Sequence, residues 1–88
     1  MSYTVEFSEQ FLKQMSKLDK FTRTLISSWI SKHLVNSDDP FSSGHALTGN
    51  MAGLWRYRIG DYRLICSIDR GKLIIYLLEV GHRSNIYD

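Results

Sequence analysis

Apolar and polar positions along the 88-residue chain follow a helical rhythm in the first half and an alternating one in the second. Tyr3-Thr4-Val5-Glu6-Phe7 alternates aromatic or β-branched residues with polar ones, which predicts a short, half-buried strand. Ser8 is placed to cap a helix from Glu9 to about Leu18, with Phe11, Leu12, Met15 and Leu18 as its apolar stripe. Asp19 caps a second helix, Lys20 to about Val35, in which Phe21, Leu25, Ile26, Trp29, Ile30, His33 and Leu34 share a face. The two segments predict a helical hairpin.

Asn36-Ser37-Asp38-Asp39-Pro40 ends that helix, and the stretch on to Gly49-Asn50 is turn and loop chemistry. Beyond it, Leu54 to Ile59 alternates, with Trp55, Tyr57 and Ile59 on one face and Arg56 and Arg58 on the other. Gly60-Asp61 signals a tight turn, Tyr62 to Asp69 a second strand, Arg70-Gly71 another turn and Lys72 to Val80 a third strand. The apolar run Leu73 to Leu78 has no alternation, as expected of an interior strand covered on both faces. With the N-terminal strand joining the same sheet, the order is β-α-α-β-β-β. This is an α+β fold, a two-helix hairpin packed on a small antiparallel sheet, in a single domain spanning residues 1–88.

Composition narrows the function classes. Forty-three per cent hydrophobic residues, 23% charged residues and one proline describe an ordinary globular chain. The longest apolar run is far shorter than the ~18 residues a membrane span needs, and no signal pattern opens the chain. A lone Cys66 offers neither an internal disulfide nor a thiolate metal site, so a reducing, cytoplasmic setting is expected. The formal charge is +2, and it is unevenly spread. Through Asn50, acids and bases balance; after it, Arg56, Arg58, Arg63, Arg70, Lys72 and Arg83 face only Asp61, Asp69, Glu79 and Asp88. Arginine carries the planar fork that suits phosphate.

Arg56 and Arg58, two apart on a strand, project side by side at ~7 Å, a spacing close to that of adjacent phosphates. The turn at Gly60-Asp61 brings Arg63 toward them if the register puts it on the same face. A solvated sheet face balanced by Asp61 and Asp69 is the competing reading. In the tail, His82 offers an acid or base, Arg83 a phosphate clamp and Tyr87 a stacking platform or proton donor; a frayed terminus is the plain alternative. His33, His45 and His82 lack ligand spacing, so no metal and no cofactor are expected. His33 reads as helix packing, Trp29 and Trp55 as core, and His45 as a loop histidine without assignable work.

Leu47-Thr48-Gly49, Trp55-Arg56-Tyr57-Arg58-Ile59, Asp61-Tyr62-Arg63-Leu64-Ile65 and the ending Val80-Gly81-His82-Arg83-Ser84-Asn85-Ile86-Tyr87 together resemble a RelE toxin of the RelE/ParE superfamily, over almost the whole chain. The resemblance implies a microbial-RNase-like fold and a type II toxin that enters the A site of the 70S ribosome and cuts mRNA there. In such enzymes the 2′-hydroxyl attacks the adjacent phosphate without a metal, and a RelB-like antitoxin silences the toxin. It places Arg56, Arg58, Arg63, Arg83 and Tyr87 at the site positions. Arg56 and Arg58 stand where the best-known member has lysines with acid and base roles, and a guanidinium does not readily give up its proton. His82 is therefore expected to take an acid or base role beside the arginines. The rival expectations are a ParE-like gyrase poison and an RNA- or ribosome-binding module that moves no protons.

Overall fold

A computed structural model describes residues 1–85, so Tyr87, one of the expected site residues, lies outside the described residues. The elements are β1 (Thr4–Phe7), α1 (Glu9–Ser16), α2 (Lys20–His33), β2 (His45–Ala46), β3 (Trp55–Ile59), β4 (Tyr62–Asp69) and β5 (Ile74–His82), with a single 3-10 turn at Gly49–Met51. Both helix starts are built as their cap residues require. The Ser8 hydroxyl accepts from the Phe11 N–H at 3.0 Å, and the Asp19 carboxylate accepts from the Thr22 N–H at 3.1 Å and the Thr22 hydroxyl at 2.6 Å. Those bonds hold the exposed Asp19 carboxyl below its ordinary range.

The sheet has five strands in the order β1-β5-β4-β3-β2. The β3-β4-β5 meander is antiparallel as expected, while β1 lies parallel to β5, from Thr4 opposite Ile74 to Phe7 opposite Leu77, so the sheet is mixed. A fifth strand, β2, forms where the sequence reads as loop, and its antiparallel pairing sets Ala46 opposite Trp55 and His45 opposite Arg56. Alternation cannot reveal a strand of two residues, because it spans a single period and the pattern never repeats. Short outer strands also leave little unpaired edge.

The core lies between the helices and one sheet face. Phe11 of α1 and Ile26, Ile30 and Leu34 along α2 meet Tyr57, Ile59, Leu64, Cys66, Ile75, Leu77 and Val80, and all are buried. Trp29 rests on Tyr57 at 5.2 Å between ring centroids and on His33 at 4.5 Å, so both tryptophans and His33 pack as the sequence suggests, Trp55 edge-on to Phe41. The Tyr57 phenol is buried, and its O–H donates to the Pro40 carbonyl, tying the α2–β2 loop to the sheet. The apolar stripes are narrower than expected: Leu12, Phe21 and Leu25 are exposed, Phe21 by 77%. One sheet face accommodates only the Ile26-Ile30-Leu34 line of α2, at four-residue spacing, and the outer flank of the stripe stays in solvent.

A register shift interrupts the β4–β5 ladder. Ile65 pairs with Glu79 while its neighbour Cys66 pairs with Leu77, so Leu78 is an extra residue in the ladder. A bulge of this kind resets the pleat, and it lets Leu77 and Val80, three apart, both face the core. Main-chain groups around it are taken by α1: the Ser8 hydroxyl donates to the Leu78 carbonyl at 2.8 Å, and the Gln14 side-chain oxygen accepts the Val80 N–H at 2.8 Å. Gly81 sits within the strand, opposite Arg63. β5 therefore ends at His82, two residues later than the apolar pattern indicates.

Candidate functional site

Cross-strand pairing decides which of the basic residues meet. Residues directly opposite in an antiparallel pair share a face, with Cβ atoms about 4.5–5.5 Å apart. Arg58 is directly opposite Arg63, and Arg56 is directly opposite Ile65, so Arg56, Arg58 and Arg63 all lie on the sheet face away from the helices. The sequence could place the first two together; only the β3–β4 register adds the third. Gly60 at φ 59° supplies the left-handed first residue of the two-residue hairpin that sets this register.

The three arginines differ in setting. Arg63 is buried at 7% exposure, its guanidinium donating to the carbonyls of Gly60 at 3.2 Å and Tyr62 at 3.1 Å, so it is folded against its own hairpin. Arg56 is buried at 9%, and Arg58 is exposed. A guanidinium held by main-chain carbonyls keeps its charge and loses rotamer freedom, which is preorganisation for an anion. Gly81 of β5 is directly opposite Arg63 on the other side.

Arg83 reaches the same end of the sheet. Its N–H donates to the Asp61 carbonyl at 2.8 Å, continuing the β4–β5 pairing one step and holding the tail beside the hairpin that carries Arg58 and Arg63. Arg70 is occupied elsewhere, over the Phe41 ring at 4.1 Å.

His82 does not join the arginines. It is opposite Tyr62, one position along from the Arg63–Gly81 pair, and successive strand residues point to opposite faces. Its ring meets Tyr62 edge-on at 5.5 Å, and both line a cleft of about 300 Å³ with Gln14, Lys17 and Leu18 of α1, on the helix side of the sheet. Nδ1 takes the Ser84 N–H at 3.2 Å and lies 2.8 Å from the Ser84 hydroxyl, so this nitrogen is engaged in turning the tail. The expectation that His82 stands beside the arginines is thus corrected by the pleat: extending β5 to His82 fixes its parity opposite to theirs.

His45 was missed. Placed in β2, it is directly opposite Arg56 and shares the arginine face. The signal in the sequence is Gly44: a Cβ there would lie 2.6 Å from the Arg56 carbonyl oxygen and 2.7 Å from the Trp55 ring, so only glycine lets this segment close on β3. Among the described residues, no three His, Cys, Asp or Glu side chains are grouped to hold a metal. No described helix is long and apolar enough to cross a membrane.

Two helices packed on a five-stranded mixed sheet match the fold of a known class of small toxins. Residues 5–87 match the family model described as the ParE toxin of the type II toxin-antitoxin system parDE. The chain belongs to this family, within the RelE/ParE superfamily. It is 31% identical to toxin RelG of Mycobacterium tuberculosis, over 99% of this chain and 98% of that one. The toxin-antitoxin complex RelBE2 of M. tuberculosis contains a chain of the same fold, with a TM-score of 0.80 and 26% identity, covering 94% of this chain and 100% of that chain. In the RelE–RelB complex of Pyrococcus horikoshii OT3 the values are 0.70 and 24%, covering 98% and 100%. The protein is a type II toxin-antitoxin system toxin of RelE-like fold.

Proposed function

We propose that this toxin is a metal-independent endoribonuclease that cuts mRNA in the ribosomal A site in the cytoplasm, and that a RelB-like antitoxin silences it. The carrying observation is the direct opposition of Arg58 and Arg63, with Arg56 on the same face and Arg83 tied to the same hairpin. A polyanion seated on that face meets several guanidiniums at once, and the RNA backbone offers one phosphate per nucleotide.

In the reaction the 2′-oxygen attacks the adjacent phosphorus, and the P–O5′ bond breaks to leave a 2′,3′-cyclic phosphate and a 5′-hydroxyl. Arg63, preset by two carbonyls, neutralises the non-bridging oxygens as charge accumulates on the phosphorane, with Arg56, Arg58 and Arg83 gripping that phosphate and its neighbours. None of these four readily moves a proton, because a guanidinium stays charged. The outward-facing Leu12, Phe21 and Leu25 offer the antitoxin apolar surface of the kind a folding-on-binding segment covers.

Primer extension on an mRNA held on purified ribosomes with an empty A site tests the reading, with Arg83→Ala as control. Discrete cuts at the A-site codon that require the ribosome, and are at least tenfold weaker in the variant, are expected. The description of the matched family in terms of parDE favours a second reading, a gyrase poison. Intact mRNA together with trapped gyrase–DNA cleavage complexes would establish that one; ribosome binding with neither product would leave a binding module.

A further inference from the structure

The arginine face needs a proton carrier, and the topology delivers one that differs from the residue expected by sequence. His45 is an exposed imidazole set directly opposite Arg56 on the sheet face that carries Arg58 and Arg63. The ladder that holds it extends past β2, since the Leu47 N–H donates to the Leu54 carbonyl at 3.0 Å. Gly44 clamps the other side by its close approach to Trp55 and the Arg56 carbonyl. A histidine in a free loop would sample many positions; this one has its Cα fixed on both flanks by main-chain contact with the strand bearing the arginines.

Resting on the ribonuclease reading, we propose that His45 is the general base of RNA cleavage. A ring nitrogen of His45 accepts the proton of the ribose 2′-hydroxyl as the 2′-oxygen forms its bond to phosphorus. The P–O5′ bond breaks, the electron pair leaves with the 5′-oxygen, and that oxygen takes a proton from water. Arg56 beside His45 holds a non-bridging oxygen of the same phosphate, so base and electrophile act on adjacent atoms of one nucleotide. Among the described residues β2 is an edge strand, and the groups facing His45 across the β2–β3 pairing are Arg56 directly and Leu54 and Arg58 on the diagonals. No carboxylate occupies those positions. His82, on the helix side of the sheet, has no part in the proton transfer.

Single-turnover cleavage of ribosome-held mRNA is compared for the parent, His45→Gln, His45→Ala and His82→Gln. Removal of a general base costs on the order of 10²-fold or more. The expected result is such a loss in His45→Gln with unchanged affinity for the mRNA-programmed ribosome, partial return of His45→Ala activity with added imidazole, and His82→Gln within about threefold of the parent. Parental rates in His45→Gln, or a loss explained wholly by weaker binding, overturn the assignment while leaving the ribonuclease reading intact. A parent that leaves mRNA whole overturns both.

Discussion

Arg58 and Arg63 face each other directly across the β3–β4 hairpin, one exposed and one buried against the carbonyls of its own turn. Both sides carry a permanent positive charge on one sheet face. Arg63 is held in place by the Gly60 and Tyr62 carbonyls, while Arg58 presents its charge to solvent, so the two differ in their freedom to follow a bound anion.

Removing the exposed arginine tests its contact with RNA. Arg58→Gln should weaken RNA binding and reduce the slope of log affinity against log salt by about one. Binding titrations at several salt concentrations check it: an unchanged slope would show that Arg58 makes no phosphate contact.

The close approach at Gly44 predicts a penalty for the smallest possible side chain. Gly44→Ala places a carbon 2.6 Å from the Arg56 carbonyl oxygen, and backbone cannot yield as a flexible side chain can. Overpacking of this kind costs ~1–3 kcal/mol. Denaturant unfolding should show the loss, and hydrogen exchange should show faster exchange at Leu47, whose N–H closes the β2–β3 ladder.

The phenol of Tyr57 is the buried tie between the Pro40 carbonyl and the sheet. Tyr57→Phe keeps the ring on Trp29 and leaves that carbonyl without its donor, at a cost of about 1–3 kcal/mol. Urea midpoints measure the cost, and an unchanged midpoint would mean that water replaces the donor.

Alkaline pH should destabilise the fold through Cys66. Burial pushes this thiol well above its ordinary range, whereas in the unfolded chain it ionises at about 8.5. Above that pH the unfolded state gives up a proton that the folded state keeps, so stability falls as pH rises, with a limiting slope of ~1.4 kcal/mol per pH unit. Unfolding followed from pH 7.5 to 9.5 should show this slope in the parent and a flatter profile in Cys66→Ala.

Ser8, Asp19, the helical stripes, the strand alternation around Trp55–Ile59 and the Gly60-Asp61 turn were all legible along the chain, because each depends on residues within a few positions of one another. Capping, periodicity and turn chemistry are local, and they determined the number and kind of the main elements and the pairing of Arg56 with Arg58. The family resemblance was legible for the same reason, carried by short runs of residues. The tertiary structure decided what depends on which strand lies beside which. It made β1 parallel to β5, inserted Leu78 as a bulge that lets Leu77 and Val80 share the core, and left Phe21 in solvent. It also sorted the histidines. One step of pleat carried His82 to the helix side, and two residues of pairing brought His45 to Arg56. Sheet faces are assigned by register, and register is a relation between segments far apart in the chain. That is why the basic residues could be read from the sequence, while the faces on which the histidines lie could be found only in the fold.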